Sequence, residues 1–239
     1  MRTFTKVTPT MTASIQHAGV YADTNILFDW HKVEGFKGGS VDNIKLILRG
    51  TNGVDQTVRA IDLLFATSHI PTLADGVNVS VDITPPSLGT QRAAVTTFGW
   101  QNNLVGLVSI ATGDFNDGDL VVLNTANKDL SGMEIPVSGD LYVAALAKDS
   151  AGLDFRSTVT CTGVQPITQS TLTVGTTSAL INFAPGDVLH DENDRLMGTV
   201  KTVTNANTMT MTKNLENATV NATDLYALSP IQLILGGTT

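Results

Sequence analysis

With 239 residues, of which 42% are hydrophobic, 15% charged and 5% aromatic, the chain can bury a sizeable core and is too apolar to stay disordered. Its formal charge of −8, from 22 acids against 14 bases with no basic run, argues against non-specific nucleic-acid binding, which needs Lys and Arg to neutralise phosphates. The longest apolar stretches, such as Leu104–Ala111, are too short to span a membrane, and "MRTFTKVTPTMTASIQ" lacks the apolar segment of a secretion signal.

Cys161 is the single cysteine, so neither an internal disulfide nor a Cys-rich metal knuckle is available, and folding is expected in a reducing cytoplasm. Much of the polar remainder is Thr, Asn, Ser and Gly, which suits short strands joined by tight turns.

Helical periodicity is scarce and strand signals are many. "NILFDWHKV" (25–33), "VDNIKLILRG" (41–50) and "TVRAIDLLFAT" (57–67) follow one another, separated by "EGFKGGS" and "TNGVDQ" with their Gly-Gly and Asn-Gly turns. Within the third run Ile61, Leu63 and Phe65 share one face and Asp62 and Leu64 the other. A Pro/Gly-rich loop follows, with one short strand over Val77–Ile83 that Pro85–Pro86 stops.

Further strands are predicted at 104–112, 119–126, 140–149 and 156–165, with "GDFNDGD" and "LSGMEIPVSG" between them as turns. About eight strands without intervening helices predict a β-sandwich or jelly roll. A boundary near Gln165–Pro166 separates a second set, "STLTVG", "ALINF", "GDVLHD", "RLMGTVKTVT", "TMTMTKNL" and "DLYAL". Alternation in "TMTMT" puts Met209 and Met211 on one face and Thr208, Thr210 and Thr212 on the other.

Several very short strands in so few residues predict closure into a small barrel. The expected organisation is thus all-β: a β-sandwich or jelly-roll-like domain over 1–165, a small β-barrel-like domain over 166–228, and a terminal strand or tail over 229–239. The apolar tail "PIQLILGGTT" either returns to the first sheet or pairs with a neighbouring subunit.

The densest group of ionisable residues is "GDVLHDENDRLMGTVKTV" (186–203), with Asp187, His190, Asp191, Glu192 and Asp194. A calcium loop needs oxygen ligands at alternate positions and a glycine at the sharp turn. Counting from Asp191, the alternate positions are Asn193 and Arg195, and arginine is no ligand. "DFNDGD" (114–119) offers Asp114 and Asn116 but then Gly118. Zinc wants several His or Cys, whereas His17, His31, His69 and His190 are scattered singly.

The cluster therefore reads as a hairpin tip whose charges face water and keep strand edges from sticking. No nucleophile elbow, P-loop or dinucleotide fingerprint is present. Cys161 alternates into a buried position. "NVS" (78–80) and the two "NAT" triplets (217–219, 221–223) match glycosylation acceptors by coincidence in an Asn/Thr-rich chain. Trp30 and Trp100 read as core or loop anchors, with Trp100 in "FGWQNN" the one place a glycan would stack. The expected site content is none: no catalytic, cofactor-binding or metal-binding residue.

Two stretches resemble known proteins. Residues 186–228, through Gly186, Asp187, Gly198, Thr199, Val200, Leu225 and Tyr226, resemble a small β module that recurs in tailed-phage structural proteins. The chain departs from that pattern in having Asn193–Asp194 where the turn often carries glycine. The first part, with "GGSVDNIKLIL", "AIDLLFATSHIPTL", "GDLYVAALAKDS" and "STVTCTGVQ", resembles phage auxiliary head proteins.

The resemblance implies a non-enzymatic virion component that decorates or cements a capsid by binding the major capsid protein lattice. It also implies a place on the capsid surface after synthesis in the host cytoplasm, and self-association such as a homotrimer at a threefold junction. No cofactor, nucleic acid or membrane is expected as a partner. The alternatives are a head-fibre or tail-tip receptor- or glycan-binding module, favoured by exposed aromatics near Trp100 and Phe115, a neck or tail-tube component, and a polysaccharide-cleaving enzyme, which needs paired carboxylates about 5–9.5 Å apart in one cleft.

Overall fold

The computed structural model describes residues 2–36, 38–49, 58–68, 76–80, 103–120, 123–130, 134–149, 152–157, 159–175 and 179–238. In chain order the first elements are Arg2–Val7 (β1), the short helix Ala13–His17 (α1), Val20–Tyr21 (β2), Asn25–Lys32 (β3), Gly39–Arg49 (β4), Ile61–Ala66 (β5) and Gly76–Ser80 (β6). There follow Leu104–Ile110 (β7), Phe115–Leu120 (β8), Leu123–Asp129 (β9), Ile135–Val137 (β10), Tyr142–Ala147 (β11) and Leu153–Asp154 (β12). The last group is Thr171–Thr173 (β13), the helical turn Ala179–Asn182 (α2), Val188–Asp191 (β14), Leu196–Asn205 (β15), Thr208–Met211 (β16), Leu225–Ala227 (β17) and Ile231–Thr238 (β18).

The protein is nearly all β and its sheets are antiparallel. One sheet runs β1-β18-β4-β9-β8, with β10 taking the far end of β4, and a second runs β6-β3-β11-β5-β7. Ile44, Leu46 and Leu233 of the first sheet share one core with Leu63, Phe65 and Val143 of the second, which makes the pair a sandwich. The terminal strand β18 does return to the first sheet, inserting between β1 and β4. Its Ile231, Leu233 and Leu235 are fully buried, and each such side chain stabilises by about 1.5–3 kcal/mol. Gly237 makes this fit possible, because a Cβ there would lie 2.2 Å from the Ser40 carbonyl oxygen.

Strand β5 is buried on both faces. Ile61, Leu63 and Phe65 enter the main core, while Leu64 joins Ile26, Ala144 and Leu146 in a second cluster on the other face. Asp62 lies on that other face, 2% exposed, where it accepts 2.5 Å and 2.6 Å hydrogen bonds from Ser109 and Lys148.

Residues from Val159 onward build a separate core around the sheet β13-β16-β15-β14-β17. Met209 and Met211 point into it as the alternation predicts, 0% and 2% exposed. The expected barrel does not close. Between its edge strands lie residues 160–161, joined to each side by isolated bridges only, Cys161 to Val174 and Thr160 to Asp224. So "RSTVTCTGVQ" is not the eighth strand of the sandwich; its bridges are to this second sheet.

Three further segments depart from expectation. "ALINF" is a helical turn, closed by the Phe183 N–H on the Ala179 carbonyl, which puts both of those side chains into the second core. An apolar run this short satisfies either period, and tertiary packing decides between them. "GDFNDGD", expected as a turn, supplies strand β8, and "LSGMEIPVSG" contains β10. His69, Trp100 and the Pro85–Pro86 stop lie outside the described residues.

Candidate functional site

The ionisable cluster is a β14–β15 hairpin, bulged between Leu189 and His190. Asp191 organises its tip from a fully buried position. One carboxylate oxygen accepts from the N–H groups of Asn193 and Arg195 at 3.0 and 2.8 Å, and the other takes the Arg195 Nε at 2.6 Å. Asp194 occupies the left-handed region at φ 62°, which explains why glycine suits this turn and why aspartate, unlike a branched residue, replaces it.

The hairpin is not an idle tip facing water. Asp187 meets the guanidinium of Arg49, from the end of β4, in a two-point contact of 2.9 and 2.7 Å. The same arginine donates to the Asn182 carbonyl at 3.1 Å, and Asp187 also accepts the Ala184 N–H at 2.8 Å. Both side chains of the pair are 15% exposed.

On the other side of the tip, Asp194 accepts the Ser14 N–H at 3.0 Å and the Ser14 hydroxyl, both from α1. Burial acts to raise the Asp194 carboxyl, but the Ser14 hydroxyl and backbone N–H groups of Ser14 and Ala13, with His190, outweigh it and hold the pKa below the ordinary value. Cap and tip thus bind each other: Thr12 caps α1, and α1 presents Ser14 to the hairpin.

A third contact joins the same two bodies. His17 Nδ1 lies 2.7 Å from the Tyr226 hydroxyl and 3.5 Å from the Asp224 carboxylate. Burial raises the Asp224 pKa, His17 opposes this, and Glu192 adds to it. Buried Gln16 reaches across as well, donating to the carbonyls of Met11 and Ala227. Between these contacts lies a cavity of about 10 Å³, lined by Gln16, Arg49, Asn182 and Tyr226 among others. That is room for one water and no substrate.

The other candidates resolve into structural roles. Asp114 caps the turn after β7 by accepting the Ala111 N–H and pairs with Lys128 at 2.7 Å. Cys161 is buried, and desolvation pushes its thiol up to about 11, so it stays protonated and unreactive near neutrality. Burial lowers the His31 pKa, against Glu34. The amide of Asn217 donates to Leu196 O and that of Asn221 accepts from Gly163 N, so both triplet asparagines serve as loop ties. Trp30 is half-buried, and Phe115, expected exposed under the glycan-binding reading, is only 8% exposed.

A groove of about 220 Å³ beside β7 and β10 has Lys128 and Glu134 in its wall, and among the described residues that line it Glu134 is the one carboxylate. Among the described residues no group of three His, Cys, Asp or Glu side chains is placed to hold a metal, and no helix is long and apolar enough to cross a membrane.

The sequence points to no role for Arg49, Ser14 or Gln16 and weighs His17 only as a zinc ligand, because each acquires its role from a partner far along the chain. Arg49 ends an ordinary strand and Ser14 starts an ordinary helical turn. No family model, no curated protein and no solved structure matches the chain.

Proposed function

We propose that the protein is a structural component of a tailed-phage virion that decorates or cements the capsid by binding the lattice of its major capsid protein. The observation that carries this reading is the fate of the densest ionisable cluster: its Asp187 and Asp194 tie one β body to the other, as does His17 beside it. Asp187, Asp194 and His17 each hold a partner across that junction, and the cavity described between these contacts, about 10 Å³, is too small for a substrate.

The strand pairing reinforces it. β1 and β18 pair over six residues within one sheet of the sandwich. Main-chain hydrogen bonds along that ladder hold the two strands in a regular sheet. Many copies on a lattice then gain through effective concentration what single contacts lack. The resemblance of residues 186–228 to a phage structural module points the same way.

Immunogold electron microscopy of purified particles, with antibody to this protein, is the direct test. Gold spread over heads is expected, with earlier heat-release of DNA from particles that lack the protein. Gold confined to tails or fibre tips moves the assignment to adsorption, and particles without gold refute a virion role.

A further inference from the structure

The outer face of the first sheet carries a feature that the junction leaves unused. Register puts Lys6 of β1 opposite Ile234 of β18, and Ile234 opposite Lys45 of β4. One row along, Phe4 stands opposite Gly236, and on the other side Gln232 stands opposite Ile47. Opposed residues share a face, so Phe4, Lys6, Ile234, Lys45 and Ile47 form one outward patch, while Val7, Leu46 and Leu233 point to the core.

Phe4 is 68% exposed and lies over Gly236, where a Cβ would come within 3.1 Å of its ring. At the far end of β4 the same face is closed off by Arg49 and its Asp187 partner.

The charge on this patch is unusual for the sandwich. Elsewhere in that body the described cationic side chains hold carboxylates: Lys32 with Asp140, Arg49 with Asp187, Lys128 with Asp114, Lys148 with Asp62 and Arg156 with Asp154. Lys6 and Lys45 have no such partner among the described residues. They stand two strands apart, about 10 Å, on either side of an isoleucine. Asp129 stands at the corner of the Phe4 row, and Asp187 closes the far end of the face with Arg49.

A chain of net charge −8 therefore keeps two unneutralised ammonium groups beside exposed Phe4 and the half-buried Ile47 and Ile234 on one sheet face. A two-fold contact of the face with itself would set lysine against lysine, which is repulsive. The complement is a surface with carboxylates around an apolar centre.

We propose that this face is the docking surface of the protein and that its occupant is an acidic protein surface of the particle it joins. The inference rests on the capsid-binding reading and names the side of the molecule that makes the contact. Apolar contact at Phe4, Ile47 and Ile234 supplies the buried area, and the lysines supply orientation and rejection of basic surfaces.

The test is co-sedimentation of the full chain with purified particles lacking it, at 50 and 200 mM salt. The proteins compared are wild type, Lys6→Glu/Lys45→Glu, Phe4→Ser, and a control with the same charge change, Lys201→Glu/Lys213→Glu, at exposed positions of the second body. All substituted side chains lie at the surface, and unchanged melting curves confirm folding.

The expected result is wild-type and control binding that weakens with salt, with at least a ten-fold loss for the Lys6/Lys45 variant and a loss for Phe4→Ser. Equal binding and equal salt dependence of wild type and the Lys6/Lys45 variant overturn the docking face while leaving the capsid role standing. Failure of wild type to bind any particle overturns both. Lysine-dependent binding to a labelled DNA duplex in fluorescence anisotropy, without particle binding, overturns the protein partner in favour of nucleic acid.

Discussion

Replacing Arg49 by methionine keeps much of its length and removes its charge, and it probes the junction at its most buried ion pair. The guanidinium makes two hydrogen bonds to Asp187 and one to the Asn182 carbonyl. Removing one partner of a fully buried pair costs about 3–5 kcal/mol, because the remaining charge is stranded. An exposed pair is worth about 0–1 kcal/mol.

Here both side chains are 15% exposed, and Asp187 keeps the Ala184 N–H at 2.8 Å, so the carboxylate is not wholly abandoned. The expected cost is therefore at the lower end of the buried range, about 3 kcal/mol. For a chain of this size that corresponds to a fall in Tm of about 6–12 °C.

Urea unfolding of Arg49→Met, Asp187→Leu and the double variant, followed by circular dichroism and tryptophan fluorescence, measures the pair as a cycle. Asp187 also serves the Ala184 turn, so its single substitution loses more than the ion pair. The coupling is the informative quantity, and about 2 kcal/mol is expected. With the pair gone, the two cores keep the contacts of α1 and the Met11 N–H bond to the Leu228 carbonyl, and the unfolding transition should broaden or divide. A loss below about 1 kcal/mol for Arg49→Met, or strict additivity in the double variant, refutes the view that this pair locks the two bodies together.

Three further outcomes are expected. The Asp194 carboxyl is held below its ordinary pKa by Ser14, so its stabilisation is full above the unfolded value of about 3.9 and is lost as pH falls through the folded one. The Tm gap between wild type and Asp194→Asn should thus close on acidification, and an equal gap at pH 7 and pH 3 contradicts the assignment. Cys161, raised to about 11, should resist thiol reagents at pH 8 until denaturant is added, and rapid labelling of the native protein counts against its burial. Gly237→Ala drives a Cβ to 2.2 Å from Ser40 O and toward Phe36, so β18 must shift. A loss of about 1–3 kcal/mol in urea melts is expected, and wild-type stability means the strand moves freely.

Much of the strand content was legible because its signals are local. Period-two alternation placed Met209 and Met211 inward, and turn-forming residues between Leu189 and Leu196 marked the hairpin. Cys161 followed the same rule. These judgements need only a few neighbouring residues, since alternation and turn propensity act over that range.

What the tip does was a different matter. The sequence predicts that its charges meet only water, yet Asp187 finds Arg49 138 positions away and Asp194 finds Ser14 180 positions away. No local pattern encodes such a pairing, because it depends on where two bodies come to rest. The same holds for "ALINF", whose short apolar run satisfied two periods, and for the barrel left open where residues 160–161 make single bridges instead of a ladder. Sequence alone determined an acidic, β-rich chain with turns in the right places. Tertiary structure decided which charges became ties, where the last strand inserted, and which face of the first sheet kept its lysines free, because those outcomes are set by contacts between segments far apart in the chain.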